Sequence, residues 1–397
     1  MNMRGLILVI DAFGIGAAPD ADQYGDTGAH TLRSVCAAGI AGGRLAWQAL
    51  PALGLGNCAA LTGTPVAGCP PVQTPLASFG AMAEKSRGKD TTTGHWELAG
   101  IVLERGFHVF PAEFPSFPGE LVKRFEGDTG YKLIGNRAAS GTKIIEELGP
   151  DQQRDKALIC YTSADSVFQI AAHEHVVPLD ELYRCSRIAR KICDEYDVAR
   201  VIARPFKGHP GAYVRTAGRK DYSIDLPGPS MLDQLAEHGV ETVGIGKIGD
   251  IFNHRGLALS HPEKGNSDCL TRLHGLLEQN SDQHQLVFVN LVDTDMLYGH
   301  RRDSLGYYRA IEEIDSELPK IIKLLGDEDF LVVCADHGCD PNFRGSDHTR
   351  EYVPLLFYQP RRIPVDLGIR KSFADVAATV CKLFGIQSDC GKPFLSA

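Results

Sequence analysis

The chain has 397 residues, 43% of them hydrophobic, and a formal net charge of −9. That length supports one large α/β domain plus a smaller one. The acidic balance argues against a general nucleic-acid or anionic-membrane binder.

The first apolar run, residues 6–10, reads as a buried parallel strand followed by a glycine-containing loop, and Asp11 ends it. It is too short for a signal-peptide core, and no later segment approaches the ~20 apolar residues of a membrane span. A cytoplasmic protein without membrane partners is expected. Residues 107–119 are rich in proline and phenylalanine, as a domain entry would be. A helix at 141–147, a strand at 157–161, an amphipathic helix at 179–195 and a strand at 200–204 then form a separate α/β module. The expected division is a core at 1–100 and 222–397 with 101–221 inserted. In the second part of the core a helix is expected at 229–238. Strand-like runs follow at 241–247, 286–291, 330–334 and 353–358. Residues 304–325 carry a helical apolar stripe that Pro319 should kink or divide. Ser372 and Asp375 resemble a capping box opening a last helix, which Gly385 stops. Strands alternating with helices imply an α/β fold with a mainly parallel sheet between helices. Eleven cysteines, an odd number with no C-x-x-C pair, read as buried thiols.

Three features carry chemistry. Asp11, Asp295, His300, Asp336, His337 and His348 all follow the carboxyl ends of expected strands, where open α/β sheets bind ligands. Singly, each Asp reads as a helix N-cap and each His as a hydrogen-bonded structural residue. As a set they read as a metal centre, with enough donors for two ions. Carboxylate plus imidazole suits Mn²⁺, Zn²⁺ or Fe²⁺. Asp293, Asp340 and Asp347 compete as ligands or orient imidazoles. The second feature is G-K-D-T-T-T-G-H-W-E, residues 88–97. A threonine hydroxyl beside a divalent ion becomes a nucleophile, whereas without the metal the segment reads as a Thr-rich N-cap. The third is the span from Arg200 to Lys220, with Arg204, Lys207, Arg215 and Arg219 and no acidic residue. It suits phosphate or is a solvated basic face.

The blocks V-I-D-A-F-G-I-G, G-K-D-T-T-T-G-H-W-E, Y-T-S-A-D-S-V-F-Q-I-A-A-H-E, N-L-V-D-T-D-M-L-Y-G-H-R-R-D, A-D-H-G-C-D-P and S-D-H-T-R-E-Y-V-P together resemble the phosphopentomutase family of the alkaline phosphatase superfamily. The resemblance runs from Gly5 to about Leu395. It implies an alkaline-phosphatase-like core with the inserted module as a cap. Thr91 would be the phosphorylated nucleophile. Asp295, His300 and His348 would bind one Mn²⁺, and Asp11, Asp336 and His337 the other. Ser163, Asp165, Arg204, Arg219 and Lys247 would contact the sugar phosphate. The substrates implied are ribose 1-phosphate and ribose 5-phosphate and their 2-deoxy forms, interconverted through a 1,5-bisphosphate. Glucose 1,6-bisphosphate or a similar sugar bisphosphate would prime the enzyme. The chain departs from the family at Thr92, usually Met, and at Cys339, usually Asn. The rival readings are a hydrolase with the same ligands, a phosphoglycerate-type mutase and a catalytically silent sugar-phosphate binder.

Overall fold

The structure is a computed structural model, and it describes the chain apart from Met1, Thr64, Ala164, Asp165, Asn280, Ser396 and Ala397. It divides into two units, Met1–Arg105 with Leu226–Ala397, and Gly106–Asp225. The strands in chain order are β1 (Arg4–Ile10), β2 (Ser78–Met82), β3 (Leu133–Ala138), β4 (Leu158–Thr162), β5 (Val167–His173), β6 (Arg200–Lys207), β7 (Val214–Arg215), β8 (Lys220–Ser223), β9 (Glu241–Ile245), β10 (Leu259–His261), β11 (Gln285–Leu291), β12 (Phe330–Cys334), β13 (Val353–Tyr358) and β14 (Asp366–Arg370).

The first unit is built on a sheet in the order β10-β9-β11-β1-β12-β13-β2-β14. Only β13 runs against its neighbours. Leu6 to Ile10 are fully buried, and β11 and β12 are buried along their whole length, as unalternating apolar strands covered on both faces must be. In register, Ile10 stands beside Leu291, and Val9 beside both Asn290 and Cys334. Three parallel strands therefore end at one level, and the residues that follow them share one edge.

A division at Pro319 and a capping box at Ser372 are not found. Helix Ser304–Lys323 continues unbroken through Pro319. Ile314 and Leu318 before it and Ile321 after it are fully buried, so packing on both sides outweighs the missing N–H. The capping box at Ser372 does not form. Asp375 turns to Arg370 and the Lys392 N–H, both at 2.7 Å, while the Ser372 hydroxyl donates to Glu97 at 2.8 Å. A capping box forms instead at Ser230 and Asp233, opening helix Met231–Glu237.

The second unit has a mixed sheet, β3-β4-β5-β6-β7, with β8 also pairing β6. Its two faces alternate with period two. Leu158, Cys160, Phe168, Ile170, Val201 and Ala203 pack into one apolar cluster with Phe117 and Phe125. Ile159, Tyr161, Ala171 and Phe206 pack on the other face against Ile144 and Ile145 of helix Gly141–Asp155. That helix runs well past the expected 147 and contains Pro150. All eleven cysteines are free, and all but Cys390 are buried. Among the described residues no helix is long and apolar enough to cross a membrane.

Candidate metal centre

The aligned ends of β1, β11 and β12 bring all six candidate ligands together. Asp11 and Asp336 are fully buried, His337 is 1% exposed, Asp295 4% and His348 8%. The His337 Nε2 lies 3.4 Å from Asp11 Oδ1 and 3.3 Å from Asp336 Oδ2. The Nε2 atoms of His348 and His300 lie 3.4 and 3.5 Å from Asp295 Oδ1. Among the described residues two ligand groups emerge, Asp295–His300–His348 and Asp11–Asp295–His337. Asp295 is common to both, which the strand-end pattern did not anticipate.

Each side chain is held by one atom and offers another. Asp11 Oδ2 accepts from Asn290 at 2.9 Å, and Asp336 Oδ1 accepts from the Ala12 and His337 N–H groups. His337 Nδ1 donates to the Gly338 carbonyl and His300 Nδ1 to that of Ser346, leaving both Nε2 atoms facing the cluster. Among the described residues, buried Asp11 Oδ1, Asp295 Oδ1, Asp336 Oδ2 and His348 Nε2 make no hydrogen bond. Four orphaned donor atoms converging in one place are costly unless a cation satisfies them. The residues thus fit one or two divalent ions.

Local backbone explains the geometry. Thr294–Gly299 is a turn of π-helix, and its five-residue bond from the His300 N–H to the Asp295 carbonyl brings two residues five apart back together. Ala12 follows Asp11 with a left-handed φ of 67°, and its N–H meets Asp336 at 3.0 Å. Gly94 lets helix Thr91–Leu98 abut Asp336, since a Cβ there would collide with the Asp336 carbonyl.

That helix delivers the threonines. Asp90 caps it, accepting from the Thr92 and Thr93 N–H groups, and also takes the Thr93 hydroxyl at 2.5 Å. The Thr91 hydroxyl points the other way and meets His337 Nε2 at 3.2 Å. Buried Arg350 binds the Gly88 carbonyl at 2.6 Å and pairs with Glu84, fixing the approach to Thr91.

Charges inside the cluster are strongly biased. Burial would raise Asp295, but His348, His337 and His300 outweigh it and hold its carboxyl well below the usual range. Burial likewise opposes Asp336, which His337 and His95 pull down to about 2. Asp11 is raised, by burial and then by Asp336, against His337 and Lys247. Burial disfavours a charge on His337, yet Asp336, Asp11 and Asp295 raise its pKa well above the ordinary value. A metal must therefore displace a proton from His337. Mn²⁺ affinity should fall as pH falls, and Mn²⁺ added to weakly buffered metal-free protein should release protons. Uptake without proton release would contradict this charge arrangement.

The other expected residues are placed as follows. Lys247 follows β9 and bears on Asp11 by its charge. In the second unit Ser163 follows β4, Arg204 lies half-buried on β6, and Arg219 bonds Asp221 at 2.8 and 2.7 Å. Asp165 lies outside the described residues. Of the competitors, Asp293 holds the Asn266 N–H and Asp340 the His30 N–H. Asp347 pairs with Lys89 at 3.2 Å. Cys339 is fully buried and its thiol donates to the Asp347 carbonyl at 3.7 Å. Burial pushes that thiol well up, so it stays protonated. Cys339→Asn should keep both metal content and most activity; loss of metal in that variant would make the sulfur a ligand.

Two residues went unassigned in the sequence. His95 lies 3.2 Å from Asp336 and 2.9 Å from the Thr91 carbonyl, and Asn290 joins it to Asp11. The signal for Asn290 was present, as a lone amide in an otherwise apolar strand.

Comparison with known proteins agrees with this geometry. A profile of the metalloenzyme superfamily matches residues 3–388. A phosphopentomutase of Anaeromyxobacter sp. (strain K) is 51% identical over 397 residues, 100% of this chain and 99% of that one. One of Carboxydothermus hydrogenoformans is 49% identical over 98% of both chains, and one of Thermotoga maritima 48% over 97% of this chain and 96% of that one. A phosphoglycerate mutase of Leishmania mexicana superposes with a TM-score of 0.51 at 12% identity, covering 100% of this chain and 98% of that one, and shares the fold. Fold and site define a metal-binding α/β enzyme of the metalloenzyme superfamily. Within that superfamily the chain belongs to the phosphopentomutases, which are isomerases.

Proposed function

We propose that the enzyme interconverts ribose 1-phosphate and ribose 5-phosphate, and the 2-deoxy forms, through a phosphorylated Thr91 and a sugar 1,5-bisphosphate. The observation that carries this reading is the Thr91 hydroxyl, set at the first position of a capped helix and 3.2 Å from His337 Nε2 inside the ligand cluster. Asp295, His300 and His348 would hold one divalent ion, and Asp11, Asp336 and His337 the other, with Asp295 close enough to serve both. Mn²⁺ fits the mixed oxygen and nitrogen donors. When bound, such ions supply positive charge to phosphoryl oxygens and lower the pKa of a neighbouring hydroxyl.

The chain's own residues do the rest. Phospho-Thr91 passes its phosphoryl group to the free hydroxyl of the sugar monophosphate, and the Thr91 oxygen leaves. The bisphosphate reorients, Thr91 takes the other phosphoryl group, and the isomeric monophosphate departs. Asp90 and Gly94 hold Thr91 in place, His95 and Asn290 orient Asp336 and Asp11, and Lys247 adds positive charge beside Asp11. A sugar bisphosphate such as glucose 1,6-bisphosphate would load Thr91 at the start. The inserted unit serves as the cap that recognises the sugar phosphate through Ser163, Asp165, Arg204 and Arg219.

Arg204→Ala tests the cap. Removing one charged partner of a bound phosphate costs about 1.5–3 kcal/mol. The variant should lose kcat/KM for pentose phosphate by at least about tenfold with metal content unchanged. Unaltered kinetics would return Arg204 to a solvated basic face. The reading as a whole is tested by primed, Mn²⁺-loaded enzyme given ribose 1-phosphate labelled in its phosphate. Label should appear in ribose 5-phosphate formed from other substrate molecules, because the phosphate donated is not the phosphate received. Label confined to the original sugar would exclude the phosphothreonine route.

A further inference from the structure

Two segments of the first unit carry reacting parts of the site, and side chains outside the ligand cluster tie them together. Residues 88–91 lead into Thr91, and residues 347–350 surround His348. Lys89 reaches from the first to the second, with its ammonium 3.2 Å from Asp347 Oδ2. The other oxygen of that carboxylate accepts from the His348 N–H at 2.8 Å. Arg350 reaches back the other way and donates to the Gly88 carbonyl at 2.6 Å. Asp26 closes the arrangement. Its Oδ2 accepts from both the Lys89 ammonium at 3.0 Å and the Arg350 N–H at 2.8 Å.

Stability does not account for all of these bonds. Arg350 and Asp26 are buried, and breaking their bonds would cost the fold. The Lys89–Asp347 pair is different, because the Asp347 side chain is 51% exposed. Water screens such a pair, so it contributes little to folding. Its placement is what distinguishes it. Lys89 lies two residues before Thr91 and next to Asp90, which caps the helix that Thr91 opens. Asp347 precedes His348 and holds its backbone rather than its ring. The Asp26 and Asp347 carboxylates stand within reach of one ammonium, and without it they would repel each other. Loss of Lys89 would therefore push the His348 segment away from the Thr91 segment.

We propose that Lys89 is a positioning residue for phosphoryl transfer, bridging Asp26 and Asp347 so that the Thr91 helix and the His348 backbone keep a fixed separation. It acts through Asp347 and not by touching the substrate. This rests on the mutase reading above and adds to it a residue that the sequence did not single out.

Lys89→Met and Asp347→Asn test it in the full-length protein, at a temperature well below the melting point of either variant. The asparagine keeps an oxygen for the His348 N–H and loses the charge that Lys89 holds. Each variant should lower kcat for ribose 1-phosphate about tenfold and leave KM little changed, because the geometry of the transfer step alone is disturbed. Mn²⁺ titration of the metal-free proteins, followed by electron paramagnetic resonance, should show one site weakened about tenfold and the other as in wild type. The double variant should be no worse than either single one, since both break the same link. Lys89→Arg should recover most of the loss. Wild-type kcat and Mn²⁺ binding in Asp347→Asn would overturn the proposal, and a defect in Lys89→Met alone would make Lys89 a direct contact of the phosphoryl group. Losses that multiply in the double variant would overturn it too, as would a lowered melting temperature with kcat and Mn²⁺ binding intact. Failure of wild type itself to isomerise would instead strike the mutase reading, and the Mn²⁺ titration would still decide the role of Lys89.

Discussion

Thr91→Ala is expected to abolish turnover while leaving the fold and the bound metal intact. Among the described residues the Thr91 hydroxyl makes one hydrogen bond, to His337 Nε2, and its removal disturbs neither the Asp90 cap nor the carboxylates. Removing a covalent nucleophile costs on the order of 10⁴-fold or more in kcat. The neighbours should not substitute, because the Thr93 hydroxyl is committed to Asp90. Thr92→Met should be nearly silent. Mass mapping after priming with glucose 1,6-bisphosphate should place the phosphate on Thr91. Phosphate on Thr92 or Thr93, or full activity in Thr91→Ala, would refute the assignment.

Asp295→Asn should have the second large effect. Its Oδ1 faces both His348 and His300, and the same carboxylate belongs to the group of Asp11 and His337. Losing this one charge should weaken both ion sites together. His300→Ala should weaken one, because His300 belongs to a single group. Metal analysis of dialysed protein should show wild type holding two ions, His300→Ala about one and Asp295→Asn fewer than one. The metals contribute several kcal/mol of transition-state stabilisation, so kcat in Asp295→Asn should fall by at least about 10³-fold. Two ions retained in Asp295→Asn would show that the carboxylate is not shared.

The convergence of the candidate ligands was legible because in-register parallel strands end at one level, so residues distant in sequence but each just past a strand must meet. Asp11, Asp336 and His337 needed nothing more. The sharing of Asp295 was not legible, because it depends on a π-turn, and no residue pattern distinguishes that turn from an ordinary helix start. His95 was visible as part of its motif, but its role depends on Gly94 letting the helix touch Asp336, a matter of packing rather than spacing. Pro319 and the Ser372–Asp375 pair misled for a common reason. Local rules set a preference of about 1–3 kcal/mol, and tertiary partners exceeded it. The basic stretch was legible as charge but not as architecture. Lys220 lies over the Tyr183 and Tyr222 rings, while Arg204 turns inward to Gln169. Strand alternation separates the two, because in the β6–β8 register Lys220 stands opposite Ala203, on the face away from Arg204.

The most direct test of the account is one reaction followed through two products. Enzyme primed with glucose 1,6-bisphosphate and loaded with Mn²⁺ is given ribose 1-phosphate, and ribose 5-phosphate and free phosphate are measured together. The account predicts that ribose 5-phosphate formation exceeds phosphate release by orders of magnitude, that chelation stops it and that Mn²⁺ restores it. Phosphate released in proportion to substrate consumed, with little ribose 5-phosphate, would contradict it and make the same ligands and the same threonine those of a hydrolase.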